Sequence, residues 1–291
     1  MKIGVIGIPD KWSSEVLADT LQRKTGFRNL IDMAEMSADL DRGRITCQDQ
    51  DLAALDGIIV KKISAVYNPE IFDRLYMLEH LEAMGVRIFS RPEHIARLIN
   101  RSSCTYHLRK HGIPMPPTTI TESIGEAVRA VRDYGEAVLK PNYTTKARGM
   151  RLITADAFLE EELSTYRAEG NPFFYIQQRK TLPGYDFGVV FLGGKYLASY
   201  ARRSAGSWNT TTHFGGRYEK FTPTEEMIDI AQRAQEPFGL DFTCVDMAET
   251  SDGLIVFEVS AFGGFKGLRE ACQIDAADLY SEYVIMRLKN G

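Results

Sequence analysis

The chain has 291 residues, 44% hydrophobic and 25% charged, with a formal net charge of −4. That composition supports a sizeable core and one to three domains, and it lacks the basic excess of a general nucleic-acid binder. Cys47, Cys104, Cys244 and Cys272 are scattered with no CxxC pair, which indicates neither a zinc site nor a disulfide framework and fits reduced thiols in the cytoplasm.

The chain opens on the apolar run Met1-Lys2-Ile3-Gly4-Val5-Ile6-Gly7, ended by Pro9 and Asp10, which is too short and too soon polar for a signal peptide. No stretch reaches the roughly 18–20 apolar residues that span a bilayer, so no membrane partner is expected. Residues 2–8 and 57–61 read as buried strands, 13–24 as a helix capped by Ser13, 69–84 as a helix with Ile71, Leu75, Leu78 and Leu81 on one face, and 86–90 as a third strand. This alternation predicts a parallel α/β layer over residues 1–95. Helices follow at 90–93 and 100–111, stopped by Gly112-Ile113-Pro114 and the stiff segment to Thr118. Next come a helix (123–134), a strand (137–140) ending in Lys140, a polar loop (143–149), a strand (151–154), a helix (155–167) and a strand (173–178). Residues 186–192 and 196–202 read as strands, 204–216 as a loop, 224–238 as a helix and 274–289 as a closing amphipathic helix. The division predicted is 1–95, 96–177 and 178–291.

Two alternating apolar segments stand out in the last third. One is Cys244-Val245-Asp246-Met247; the other is Ile255-Val256-Phe257-Glu258-Val259-Ser260-Ala261-Phe262-Gly263-Gly264. The polar turn 248–253 between them predicts a hairpin whose two carboxylates, Asp246 and Glu258, converge on one face. Hard cations such as Mg²⁺ take oxygen ligands, commonly one or two protein carboxylates plus phosphate oxygens. By itself such a pair is more often simply solvated.

Several features line up in order with that hairpin. Asn100 and Arg101 precede a helix ending Gly112-Ile113-Pro114, and Val138-Leu139-Lys140-Pro141 enters a hydroxyl-rich loop. Ile176-Gln177-Gln178 and Tyr200-Ala201-Arg202-Arg203 end strands, Gly215-Gly216 closes a loop, and Val245-Asp246 precedes Phe257-Glu258-Val259-Ser260. The ordered set resembles the ATP-grasp superfamily, specifically the RimK-like carboxylate–amine ligases, along nearly the whole chain. The resemblance implies an α/β fold: an N-terminal parallel preATP-grasp domain followed by a two-lobed ATP-grasp domain. It implies ATP and Mg²⁺ as cofactors, two ions, with Mn²⁺ an alternative. The activity implied is ligation of an amino acid, L-glutamate foremost, to the carboxylate of a small-molecule or cofactor acceptor such as a pterin, through an acyl phosphate. Neither nucleic acid nor membrane is a partner on this reading, and a dimer or tetramer is expected. A kinase on the same scaffold, or a degenerate nucleotide-binding regulatory protein, are the alternatives.

Carried over position by position, the resemblance puts Asp246, Glu258 and Ser260 on the metal, and Arg101, Lys140, Thr144 and Thr145 on the phosphates. Gln178 and Arg179 would form the linker whose backbone reads the adenine edge, and Asp186 would lie near the nucleotide. Arg202 would be the catalytic arginine, with its neighbour Arg203 the alternative because adjacent strand residues face opposite ways. Lys61, Asn209, Gly264 and Lys266 are candidates for substrate. Trp208, Phe214 and Tyr218 read first as loop packing and second as a stack for a ring-bearing acceptor, and His213 reads as an isolated loop residue before it reads as a substrate contact. Four departures from the family pattern bear on the chemistry. Ser260 stands where relatives carry Asn, Arg101 stands where they carry Lys, the loop 144–149 has one glycine, and an Arg-x-Asn element expected before Gly215 reads Asn209-Thr210-Thr211.

Overall fold

The computed structural model describes residues 1–145, 147–204 and 216–290. The N-terminal third builds a parallel sheet from β1 (Ile3–Ile6), β2 (Leu30–Ile31), and, after a small meander of β3 (Met36–Asp39), β4 (Arg44–Cys47) and β5 (Gln50–Asp51), from β6 (Gly57–Val60) and β7 (Arg87–Phe89). The sheet order is β2-β1-β6-β7, with α1 (Trp12–Thr25) and α2 (Ile71–Ala83) as crossovers. Every residue of β1 and β6 is buried. Such continuous apolar runs belong to parallel strands covered on both faces. The short helix α3 (Pro92–Ile99) leads into α4 (Arg101–Lys110), whose first turn is capped by Asn100 accepting from the Ser103 N–H at 3.2 Å.

The middle of the chain forms a second layer. Its strands are β8 (Thr118–Thr121), β9 (Glu136–Leu139), β10 (Arg151–Thr154) and β11 (Phe174–Gln178), all antiparallel in the order β10-β9-β11-β8. Helices α5 (Ile124–Tyr134) and α6 (Leu159–Ala168) cover it. Their apolar faces and the sheet enclose a core of their own, in which Val131, Leu139, Leu163, Tyr166, Phe174 and Ile176 meet.

The last third is a five-stranded antiparallel sheet: β12 (Tyr185–Leu192), β13 (Lys195–Arg203), β14 (Arg217–Lys220), β15 (Phe242–Thr250) and β16 (Gly253–Ser260), in the order β14-β13-β12-β15-β16. Helices α7 (Glu225–Gln235), α8 (Phe265–Cys272) and α9 (Ala276–Lys289) complete it. Alternation sends Val189, Phe191, Val245, Met247 and Val259 into the same core as Ile58, Val60 and Leu75 of the N-terminal layer. The first and last thirds are thus welded together by shared apolar burial, while the middle layer is packed on itself. Among the described residues, no helix is long and apolar enough to cross a membrane.

Candidate active site

Register decides which side chains meet. Asp246 pairs with Glu258 and Cys244 with Ser260 across the β15–β16 hairpin, while Asp186 pairs with Arg202 and Gly188 with Asp246 on the neighbouring strands. Since side chains alternate along each strand, Asp186, Arg202, Asp246 and Glu258 share one face of the sheet. The ladder is interrupted between Asp246 and Met247: Met247 pairs with Val256, and Phe257 has no partner. A bulge of this kind re-aims a side chain. Here the Phe257 ring lies under Lys140 Nζ, 5.4 Å from its centroid, beside Glu258.

Arg202 ties the acidic groups together. Its Nε and Nη2 grip Asp186 at 2.9 and 2.6 Å, and its Nη1 and Nη2 reach Asp246 at 3.3 and 3.2 Å. Burial pushes the Asp246 carboxyl well above the ordinary carboxylate range; Arg202 pulls against this, and Glu258 and Asp186 add to it. Arg203 points the other way, to Glu219 at 2.9 Å, and its side chain is 55% exposed. Of the two adjacent arginines, Arg202 is the one the fold turns toward the carboxylates.

Arg101, the first residue of α4, donates to Glu258 Oε2 at 2.9 Å, to the Pro141 carbonyl at 3.2 Å and to the Thr144 carbonyl at 3.1 Å. One fork therefore joins Glu258 to the loop that follows β9, a span that a single ammonium could not bridge. Lys140, at the end of β9, donates to Gln177 Oε1. Gln177 is oriented in turn by its amide, which donates to Thr118 Oγ1 at 3.0 Å and Tyr175 Oη at 3.3 Å. Burial, helped by the charge of Arg101, lowers the Lys140 ammonium to about 7. Thr144 and Thr145 sit at the start of the loop, where Arg148 donates to Thr145 Oγ1 at 3.1 Å. A cavity of about 70 Å³ lies between Arg101, Thr144, Thr145, Glu258, Tyr67 and Phe262.

The linker has a feature of its own. The Gln178 N–H donates to the Pro117 carbonyl at 2.8 Å, and Arg179 N–H to the Glu136 carbonyl at 2.9 Å. In an antiparallel ladder residue 117 would return an N–H to the Gln178 carbonyl, but proline has none. The Gln178 carbonyl therefore stands at the strand end as an acceptor without its ladder donor. The Arg179 side chain closes on Glu136 at 3.0 Å, at the surface.

The candidate substrate residues separate. Lys61 does not face an open cleft: it is 2% exposed, its Nζ donates to the Phe262 carbonyl at 2.6 Å, and the Phe265 ring centroid is 3.9 Å away. Burial lowers its ammonium to about 7. Gly264 precedes α8 at φ 92°, a conformation that suits glycine, and a Cβ there would crowd Phe242 and Val190 at 3.3 Å. Lys266 is exposed beside Glu270 at 3.6 Å. Asn209, Lys146, Trp208, His213 and Phe214 lie outside the described residues. Ser260 turns its Oγ into the following turn, accepting from the N–H groups of Phe262 and Gly263 at 3.2 and 3.1 Å. The sequence places Gln177 and Phe257 within the ordered motifs without a role of their own, and the Pro-rich run around Pro117 reads there as a helix stop.

Among the described residues no group of three or more His, Cys, Asp or Glu is arranged to hold a metal. Two facing carboxylates, one of them kept high by burial, suit a hard divalent cation that takes its remaining oxygens from phosphate and water. His107 and His111 instead bond carbonyls of their own helix region, at 2.9 and 2.8 Å.

Lys140 after β9 and Arg101 at the start of α4 thus stand on the side of the carboxylate pair and Arg202. Residues 99–284 match the family model of the RimK-like ATP-grasp domain, and the chain belongs to that family. It is an ATP-grasp ligase that forms C–N bonds between a carboxylate and an amine. A relative named tetrahydromethanopterin:alpha-L-glutamate ligase, from Methanosarcina acetivorans, is 28% identical over 97% of this chain and 98% of its own length. The human N-acetylaspartylglutamate synthase A is 28% identical over 74% of this chain and 56% of its own. The fold is shared with the ATP-grasp ligase PsnB in complex with a precursor variant, Mg and ADP, at TM-score 0.75 and 19% identity over 98% of both chains. It is shared as well with D-cycloserine synthetase DcsG, at TM-score 0.75 and 16% identity over 99% of this chain and 100% of that one.

Proposed function

We propose that this ligase adds L-glutamate to the carboxylate of a small-molecule acceptor of the pterin cofactor type, using ATP and Mg²⁺. The observation that carries the site reading is the Asp246–Glu258 pair, held by Arg202 and Arg101 opposite Lys140. The end-to-end similarity to the Methanosarcina glutamate ligase supports the choice of substrates.

In this reading the Gln178 carbonyl accepts from the exocyclic amine of the adenine, and Phe257 packs under the nucleotide. Lys140 and Arg101 bind the phosphate chain, and Thr144 and Thr145 cover it with hydroxyl and amide donors. Asp246 and Glu258 would hold Mg²⁺, which when bound neutralises charge on the terminal phosphates. Two ions are proposed, with Mn²⁺ a substitute, because hard oxygen donors accept both. Asp186 keeps Arg202 extended over the reacting centre. The acceptor carboxylate attacks the γ-phosphorus, giving an acyl phosphate and ADP. The amine of the amino acid then attacks the acyl carbon, phosphate leaves, and the nitrogen loses a proton. Positioning and charge neutralisation supply most of such catalysis, and Arg202 is placed to stabilise the oxyanion of the tetrahedral intermediate. Gly264 and Lys266 are the substrate-side candidates. The unpaired cysteines fit action in the cytoplasm.

The test is ADP release with tetrahydromethanopterin-type acceptors across a panel of amino acids. Release that needs both acceptor and L-glutamate, with an amide product by mass, supports the proposal. ADP formed without any amino acid, together with a stable phosphorylated acceptor, would instead make the protein a kinase.

A further inference from the structure

The turn that carries the chain from β16 into α8 is gripped from two directions. Ser260 Oγ accepts from the Phe262 and Gly263 N–H groups at 3.2 and 3.1 Å. Lys61, reaching in from the end of β6, donates to the Phe262 carbonyl at 2.6 Å and is capped by the Phe265 ring. A serine hydroxyl has two lone pairs and one proton, so both of its acceptor positions are filled by backbone amides. A cation would need one of those lone pairs. The Ser260 oxygen therefore has only its proton left to offer.

We infer that Ser260 and Lys61 are positioning residues that brace the turn 261–264, and that Ser260 is not a metal ligand, leaving Asp246 and Glu258 as the cation's protein side chains. The inference rests on the proposal that those two carboxylates hold Mg²⁺. It assigns the Ser-for-Asn departure a mechanical role: the hydroxyl ties the backbone that presents Gly264 and Lys266. It also assigns Lys61 an inter-layer role, since the amine joins the parallel sheet to the turn instead of meeting a substrate carboxylate.

Mn²⁺ titrated into the ADP-bound enzyme and followed by the EPR signal of free ion tests the first half. Ser260→Ala and Lys61→Met should leave the Mn²⁺ dissociation constant within about twofold of the parent, whereas Asp246→Asn should weaken it at least about tenfold, as loss of a metal-site partner does. The second half is read by hydrogen exchange and by kinetics. Amides of residues 262–265 should exchange faster in both variants, and the KM for L-glutamate should rise about fivefold or more while kcat changes less than about threefold. Ser260→Thr, which keeps the hydroxyl, should restore both readouts, and an unchanged thermal midpoint separates these effects from misfolding. A tenfold loss of Mn²⁺ affinity in Ser260→Ala overturns the inference, as does unaltered exchange and KM in both variants. If Asp246→Asn binds Mn²⁺ like the parent, the metal reading beneath the inference fails instead.

Discussion

Asp246 and Glu258 stand directly opposite each other on β15 and β16, yet each is held by a different arginine from a different part of the chain. Arg202 comes from the same sheet, and Arg101 from the helix that precedes the middle layer. The two carboxylates therefore lie where two layers meet.

Replacing either carboxylate should stop turnover and spare the fold. In Asp246→Asn, Arg202 keeps both bonds to Asp186; in Glu258→Gln, Arg101 keeps the Pro141 and Thr144 carbonyls. We expect kcat to fall by roughly two to three orders of magnitude, the scale seen for loss of a group stabilising developing charge. Steady-state assays paired with circular dichroism melts decide this, and near-parent activity in both variants would sink the assignment.

The two neighbouring arginines should behave unequally. Arg202→Lys cannot hold Asp186 through two nitrogens and reach Asp246 as well, so kcat should drop by about a hundredfold or more. Arg203→Ala loses an exposed pair with Glu219, a contact worth about 0–1 kcal/mol, and should retain kcat within a factor of about two. Equal losses in the two variants would refute the division of roles.

Lys140 gives a pH signature. Its ammonium titrates near 7 in the free protein, below the ordinary lysine value, because burial and Arg101 disfavour the charge. At pH 8 it is mostly neutral, and a bound phosphate chain restores the charge, so ATP binding without divalent cation should take up close to one proton. At pH 6 it is already charged, and uptake should be near zero. Calorimetry in buffers of different ionisation enthalpy measures the difference, and Lys140→Met should abolish it. The same depression makes the buried lysine a stability term: the unfolded chain binds the extra proton between about 7 and the ordinary lysine value, so this contribution rises with pH across that window and is flat below it.

Tyr200 is 2% exposed, and its ring occupies space cleared by two glycines. A Cβ on Gly188 would lie 2.4 Å from the Tyr200 ring, and one on Gly267 2.3 Å from it. Gly188→Ala should cost about 1–3 kcal/mol through overpacking, read from urea midpoints at unchanged slope. Trimming the ring with Tyr200→Leu in that background should recover part of the loss; no recovery would place the strain elsewhere.

Much of this was legible in the residues. The hairpin follows from apolar alternation around a polar turn, though its register at Asp246 is set by the bulge at Phe257, and the buried runs at Ile3–Ile6 and Gly57–Val60 are apolar throughout. What escaped is what needs three dimensions. Lys61 ends a strand where a cleft is expected, but Phe265 closes over it from a helix two hundred residues away. That helix, α8, is hidden in the sequence because its start is crowded with Gly263, Gly264 and Gly267. The meander β3–β5 is short and polar, and β8 hides behind the run of prolines that seemed only to stop a helix. The role of Ser260 depends on where a turn sends two amides, which residue type alone does not encode.

Phe257, the unmatched residue of the hairpin, makes β16 a strand with two numberings. From the turn to Val256 the pairs follow one count, set by Thr250 and Gly253; from Glu258 onward they follow another, set by Asp246. The extra residue is absorbed at the joint, and this shift brings Glu258 opposite Asp246. An unbroken ladder counted from the turn would put Phe257 opposite Asp246 instead. One inserted residue thus decides which side chain faces Asp246 across the hairpin, and the carboxylate pair exists because the strand carries it.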